Sequence, residues 1–191
     1  RLDTAPKLDG SAKFGIDTRL PDMLYAAIRH CPVFGGALKS VDDSPLKAMK
    51  GVRRVVHMAH AVAVVADSWW RANQAVKALN VTWDDRGNAG LSSAAIRDFV
   101  RVGLDAKRAE VGRSDGDVAT GFARAVRRVE ADYEVPFLAH ATMEPQTCTA
   151  HVRPDRVEVW APSQDVSTAL ATAALAAGVP DSKVVVHPMM L

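Results

Sequence analysis

His140, Glu144 and Cys148 recur every four residues within PFLAHATMEPQTC, residues 136–148. On a helix that spacing would line three metal-ligating or proton-transferring side chains along one face. Pro145 lies inside the stretch and would break such a helix, and ATMEPQ has no helical pattern. A metal site, an acid/base pair of Glu144 with His140, and a structural join between two parts of the fold all fit these residues. His57 and His60 in HMAH form a second candidate, an i, i+3 ligand pair. With no acidic or third ligand near them, they read as turn or surface histidines. Cys31 and Cys148 are the two cysteines, and neither belongs to a CxxC pair, which excludes a zinc ribbon or a redox dithiol on ligand count. Both are expected to be buried thiols, and spacing does not say whether they pair.

Other chemistries find less support. GVPDSK, residues 178–183, is a loop and not a phosphate cradle, and no Ser/His/Asp constellation is apparent. Trp69 and Trp70 read as one tryptophan at a helix start and one on a core face. The 24 basic and 22 acidic residues leave a net charge of +2 and are mixed along the chain, so there is no nucleic-acid footprint. The apolar run VVHMAHAVAVVAD is broken by two histidines and ended by Asp67, which argues against a membrane span. With 48% hydrophobic and 24% charged residues, the 191-residue chain has the composition of a soluble globular protein with one large domain or two small ones.

The elements that must position these residues alternate between strand and helix. DMLYAAIRHCP and GALKSVD read as strands around VFGG. A short helix follows, capped by Asp43 or Ser44, with Pro45 in its first turn and Gly51 as its stop. VRRVVHMAHAVAVVAD reads as two strands joined tightly around residues 57–61, the second buried on both faces. Ser68 caps a helix carrying Trp70, Ala72, Ala75, Val76 and Leu79 in helical rhythm, and VTWDD returns as a strand. A second helix, LSSAAIRDFVRVGLDAK, brings Ile96, Phe99, Val100 and Leu104 to one face. VATGFARAV is a short helix, and RRVEADYEVPFLAH alternates as an extended strand should. The last third gives a hairpin turning at residues 153–156, a helix DVSTALATAALAAG stopped by Gly178, and a strand SKVVVHPM. These roughly sixty residues offer one helix to cover a sheet, which is marginal for an independent domain.

GSAKFGID, DMLYAAIRHCPVFGGALKSVD, GVRRVV, AVAVVADSWWRANQA and VTWDD, in that order, resemble the α/β hammerhead domain of the xanthine dehydrogenase and aldehyde oxidase family. YEVPFLAHATMEPQTCTAHV, VEVWAPSQDV and VVVHPMML resemble the start of the molybdopterin-binding region of the same large, catalytic subunits. HATMEPQ is most similar to the isoquinoline 1-oxidoreductase type. The resemblance implies an α+β fold: a hammerhead-like domain with a mixed sheet over residues 1–130, then an incomplete α+β segment of the molybdopterin-binding domain over 131–191. It implies oxidation of an aldehyde, or hydroxylation of a carbon beside nitrogen in an aromatic heterocycle, with oxygen from water. It also implies a molybdenum–pterin cofactor, an iron–sulfur partner subunit and a small-molecule substrate.

WAPSQ matches the family's W-x-x-T-Q, which places the glutamine beside the metal's oxo ligand at Gln164, with Ser163 where threonine is commoner. A neutral amide can donate to an oxo group without adding charge; alternatively, Gln164 belongs to the capping of the following helix. The family's GGGFG segment and late base glutamate have no counterpart before Leu191, so the chain is expected to be a piece of a longer subunit, inactive and without bound cofactor by itself. In that frame the stretch 136–148 is favoured as a structural join whose polar groups bond to backbone. The competing reading is a stand-alone, non-enzymatic binding or scaffold domain. The apolar end VVVHPMML adds an expectation of self-association. The compartment, bacterial cytoplasm or periplasm, is not legible.

Overall fold

The computed structural model describes residues 2–139 and 141–190. By contacts the chain forms two compact units, one of residues 24–138 and one joining 1–23 to 139–191. The N-terminal segment carries helix α1 (Thr4–Asp9) and a single helical turn at Gly15–Asp17.

The 24–138 unit contains β1 (Tyr25–His30), β2 (Ala37–Asp42), β3 (Val52–His57), β4 (Ala61–Ala66), α2 (Trp69–Ala78), β5 (Asn80–Asp84), α3 (Ser93–Arg101) and α4 (Val118–Arg124). β4 is the centre of a three-stranded antiparallel sheet in the order β1-β4-β3, while β2 and β5 form a separate antiparallel pair. The continuously apolar AVAVVA of β4 is buried on both faces, as its lack of alternation predicts. Val62 and Val64 are fully buried and pack with Ala72, Ala75, Val76 and Leu79 of the α2 segment. Ser68 caps α2 by accepting from the Arg71 amide at 3.4 Å. The β3–β4 turn closes through Met58 N–H to the Ala61 carbonyl at 2.9 Å.

Four expectations change here. Trp70 is exposed along with Trp69, because the buried stripe of α2 is made by its small residues, Ala72 and Ala75. The short helix after β2 is a 3₁₀ turn at Ser44–Ala48 without a side-chain cap; the Asp42 carboxylate accepts from the Ser44 amide instead. α3 forms with Ser92 as its cap, but Phe99, Val100 and Leu104 stay exposed, since the stretch packs on neither sheet. RRVEADYEVPFLAH forms no strand over its described residues; alternation supplies the pattern, but a strand also needs a partner to take its backbone hydrogen bonds.

The second unit contains β6 (Thr149–Val152), β7 (Val157–Ala161), α5 (Val166–Ala177) and β8 (Val184–Pro188). β6 and β7 form the expected hairpin, closed by Arg153 N–H to the Arg156 carbonyl at 2.9 Å. β7 then runs through α5 into a parallel pairing with β8. Val157, Val159 and Val184 bury against Ala174 and its neighbours on α5. Gly178 ends the helix with φ of 68°, which directs the Val179 N–H back to the Ala174 carbonyl at 3.1 Å.

Candidate functional site

The carboxyl ends of parallel strands, where a helix begins, are where open α/β sheets bind ligands. Here that position is the loop of residues 162–165 between β7 and α5, and it holds both Ser163 and Gln164. The loop is locally fixed. Ser163 Oγ donates to the Asp165 carbonyl at 3.0 Å and accepts from the Asp165 amide at 3.1 Å. Asp165 caps α5, its carboxylate accepting from the Thr168 amide at 2.9 Å and the Thr168 hydroxyl at 2.6 Å. These bonds hold the Asp165 carboxyl below the usual carboxylate range, the Thr168 side chain contributing most. Capping thus belongs to Asp165 and turn closure to Ser163. The Gln164 side chain is exposed and has no hydrogen-bond partner among the described residues.

Beside this loop, an apolar cleft of about 520 Å³ runs between α5 and the β6–β7 face. Ala150, Val159, Ala173 and Ala176 line it, with Ser163 and Asp165 among its polar groups. Cys148 also lines it. Contrary to expectation, that cysteine is exposed, because its face of the cleft is uncovered; partial burial by neighbours still pushes its thiol up. Cys31 is half-buried, and both thiols are free.

Of the His140, Glu144 and Cys148 series, His140 lies outside the described residues. Glu144 accepts from the Ile16 backbone amide at 3.4 Å, and the Thr142 hydroxyl donates to the Glu144 carbonyl at 3.0 Å. The Glu144 carboxylate is thus tied to a backbone amide of the N-terminal segment. Gly15 belongs to the same contact: a Cβ there would stand 2.8 Å from Thr147 Oγ1 and 3.2 Å from the Thr147 carbonyl. His60 Nδ1 lies 2.7 Å from the Gly36 carbonyl. A carbonyl only accepts, so Nδ1 carries the hydrogen and the ring is tied to the Gly36 backbone. Among the described residues, no three His, Cys, Asp or Glu side chains gather as a metal ion requires, and no helix is long and apolar enough to cross a membrane.

Residues 104–190, which include this loop, match the molybdopterin cofactor-binding domain. The mixed α/β architecture with open sheets matches a hammerhead-like and a molybdopterin-binding organisation. It is 28% identical over 196 residues to the isoquinoline 1-oxidoreductase subunit beta of Brevundimonas diminuta, covering 98% of this chain and 25% of that protein. It is 30% identical over 199 residues to the membrane-bound aldehyde dehydrogenase (pyrroloquinoline-quinone) of Gluconacetobacter polyoxogenes, covering 100% of this chain and 26% of that one. In fold it is similar to the aldehyde oxidoreductase of Desulfovibrio gigas, with a TM-score of 0.75, 19% identity, and coverage of 99% of this chain and 26% of that chain. The chain thus spans about a quarter of the length of the curated relatives it matches.

What sequence reasoning missed at this site is the division of labour within PSQD. The signal was present: Asp165 followed three residues later by Thr168 is an N-cap spacing, and it leaves Gln164 with no capping duty.

Proposed function

We propose that the chain is part of the catalytic subunit of a molybdenum hydroxylase, acting on an aldehyde or on an isoquinoline-like N-heterocyclic aromatic with water as the oxygen source. Residues 1–130 would be its hammerhead domain and 131–191 the opening of its molybdopterin-binding domain, working with an iron–sulfur subunit in the cytoplasm or periplasm of a bacterium. Two relatives, an isoquinoline 1-oxidoreductase subunit and an aldehyde dehydrogenase, suggest these substrate classes.

The observation that carries the reading is the unpartnered amide of Gln164 on a loop pinned on either side by Ser163 and Asp165. The donor fits the group: the neutral amide N–H of Gln164 can face an oxo ligand without competing to coordinate the metal. When bound, the molybdenum–pterin cofactor supplies the two-electron oxygen-transfer chemistry. This chain's part is positional. Ser163 holds the turn, Asp165 ties the turn to α5, and Gln164 presents its amide with its backbone already ordered.

In the full-length subunit, Gln164→Ala should keep its molybdenum content and lose about tenfold or more in turnover, the scale of one hydrogen bond to a charged group. An unchanged rate removes Gln164 from the site. Loss of molybdenum together with activity would make its role cofactor retention.

A further inference from the structure

Trp69 and Trp70 stand side by side on the first turn of α2 with 55% and 65% of their surfaces open to solvent. On a helix whose core face is already packed, two exposed indoles form an apolar surface of the kind that anchors a protein partner. They cannot turn inward, because Ala72 and Ala75 fill the space beneath the helix and are fully buried.

The turn that carries them is held rigid. Ser68 Oγ accepts from the Arg71 amide, the Arg71 guanidinium pairs with the Asp67 carboxylate at 2.7 Å, and the Asp67 amide donates to the Gly51 carbonyl at 3.0 Å. That last contact presses the turn before β3 against the helix: a Cβ on Gly51 would stand 2.5 Å from Asp67 Oδ1 and 2.7 Å from Arg71 Cδ. Lys50 is thereby carried beside the first turn of α2. A surface ordered in advance loses little freedom when a partner docks.

The charge around the indoles has one sign. Residues 44–79, which form the 3₁₀ turn, β3, β4 and α2, hold Lys47, Lys50, Arg53, Arg54, Arg71 and Lys77 against one carboxylate, Asp67. The whole chain is only +2, so the remainder is net negative and the positive charge is concentrated here. Asp67 is taken by Arg71, while Lys50 and Lys77 are exposed and form no ion pair among the described residues. Asp42, just before this stretch, accepts from the Ser44 amide at 3.0 Å and the Asn80 side chain at 3.2 Å. A helix that lies on a bilayer buries its apolar face there, and that face of α2 is packed on the sheet. Nucleic acid draws its affinity from rows of phosphate contacts, which a few cations around an indole pair do not supply.

We propose that the outer face of α2, with the turn before β3, docks an acidic segment of another protein. The segment's apolar side chains rest on Trp69 and Trp70, and its carboxylates face Lys50 and Lys77. The surface lies wholly within the 24–138 unit and does not depend on the molybdenum reading.

The test titrates the intact protein with a synthetic amphipathic helical peptide of glutamate, alanine and leucine, followed by calorimetry and tryptophan emission. Parallel arms use the same peptide with lysine in place of glutamate, phosphatidylglycerol vesicles, and duplex DNA. The acidic peptide should bind, shift the emission to the blue, and bind more weakly as salt rises. Trp70→Ala should weaken it about thirtyfold, the scale of an interface anchor. Lys50→Gln combined with Lys77→Gln should weaken it about fivefold, and Lys183→Gln in the other unit should leave it unchanged. Trp70 lies outside the core, so Trp70→Ala should keep the far-UV circular dichroism of the parent. Three results would overturn the proposal: no binding of the acidic peptide at low salt; affinity indifferent to Trp70→Ala or to the paired lysine change; or binding of the lysine peptide, the vesicles or DNA as tight as that of the acidic peptide.

Discussion

Each unit packs one well-formed helix on a sheet, and the two helices differ in what they leave outside. α2, WWRANQAVKA, buries Ala72, Ala75 and Val76, keeps Asn73 and Gln74 half-buried, and leaves Arg71 and Lys77 outside together with the two tryptophans of its first turn. α5, VSTALATAALAA, buries only Ala174, has no charged residue, and leaves Leu175 exposed. A helix apolar all round is ordinarily enclosed by protein. The α2 side is therefore a finished core around Val62 and Val64, whereas the α5 side is half of one, which agrees with its proposed place in a larger molybdopterin-binding domain. The comparison breaks if the two cores respond alike to the same deletion. Val64→Ala should cost about 2 kcal/mol, the loss of two buried carbons at about 0.8 kcal/mol each plus a cavity term. Val159→Ala, beside the open cleft, should cost about 1 kcal/mol, because solvent and α5 can relax into the space. Chemical denaturation of each variant measures both values, and equal losses would mean that the α5 face is already closed.

How legible each region was follows the same division. Wherever a pattern and its packing partner both lie within the chain, the sequence sufficed: the buried run of β4, the Ser68 cap, the β6–β7 hairpin and the Gly178 stop all form as their residues predict. Where the pattern needs a surface to pack on, it misled. Phe99, Val100 and Leu104 do line up along α3, and Val129, Tyr133 and Val135 do alternate, but all are exposed. Periodicity states which face would be buried and does not supply what buries it. The site divides likewise. Gln164 was proposed from a motif, whereas a cavity on the sheet face opposite α5 joins residues 13–20 to Trp160 and His187, a juxtaposition created by the topology.

The helix starts sharpen the comparison on a smaller scale. Replacing Ser68 with alanine should lower stability by about 1 kcal/mol, since one amide of a helix packed into the finished core loses its acceptor. Ser92→Ala removes the same bond from the exposed α3, where the Ala95 amide donates at 3.2 Å. The effect there should be local: faster amide exchange in residues 93–96 with little change in the global unfolding midpoint, because α3 contributes no buried residue to a core. A shift of the global midpoint by Ser92→Ala equal to that by Ser68→Ala would show that α3 is integral to the cooperative unit.

The smallest effect separates the helices by the chemistry of their caps. α2 and α3 are capped by serine hydroxyls, which do not titrate, while α4 and α5 are capped by Asp117 and Asp165. Both carboxyls are held below the ordinary value of 3.8, first by the side chains of Thr120 and Thr168 and then by those residues' amides. A carboxyl depressed in the folded state stabilises above its unfolded value, and that contribution is lost as pH falls through the folded one. Acid should therefore loosen the starts of α4 and α5 below pH 3.8, while the serine caps persist. In NMR spectra recorded from pH 5 downward, the Thr120 and Thr168 amides should titrate with midpoints under 3.8 and the Ala95 amide should move far less. Asp165→Asn, which keeps an acceptor but not the charge, should abolish the Thr168 transition. A Thr168 midpoint at or above 3.8 would mean that the Asp165 cap is not formed in solution, and the loop that presents Gln164 would lose the tie that orders it.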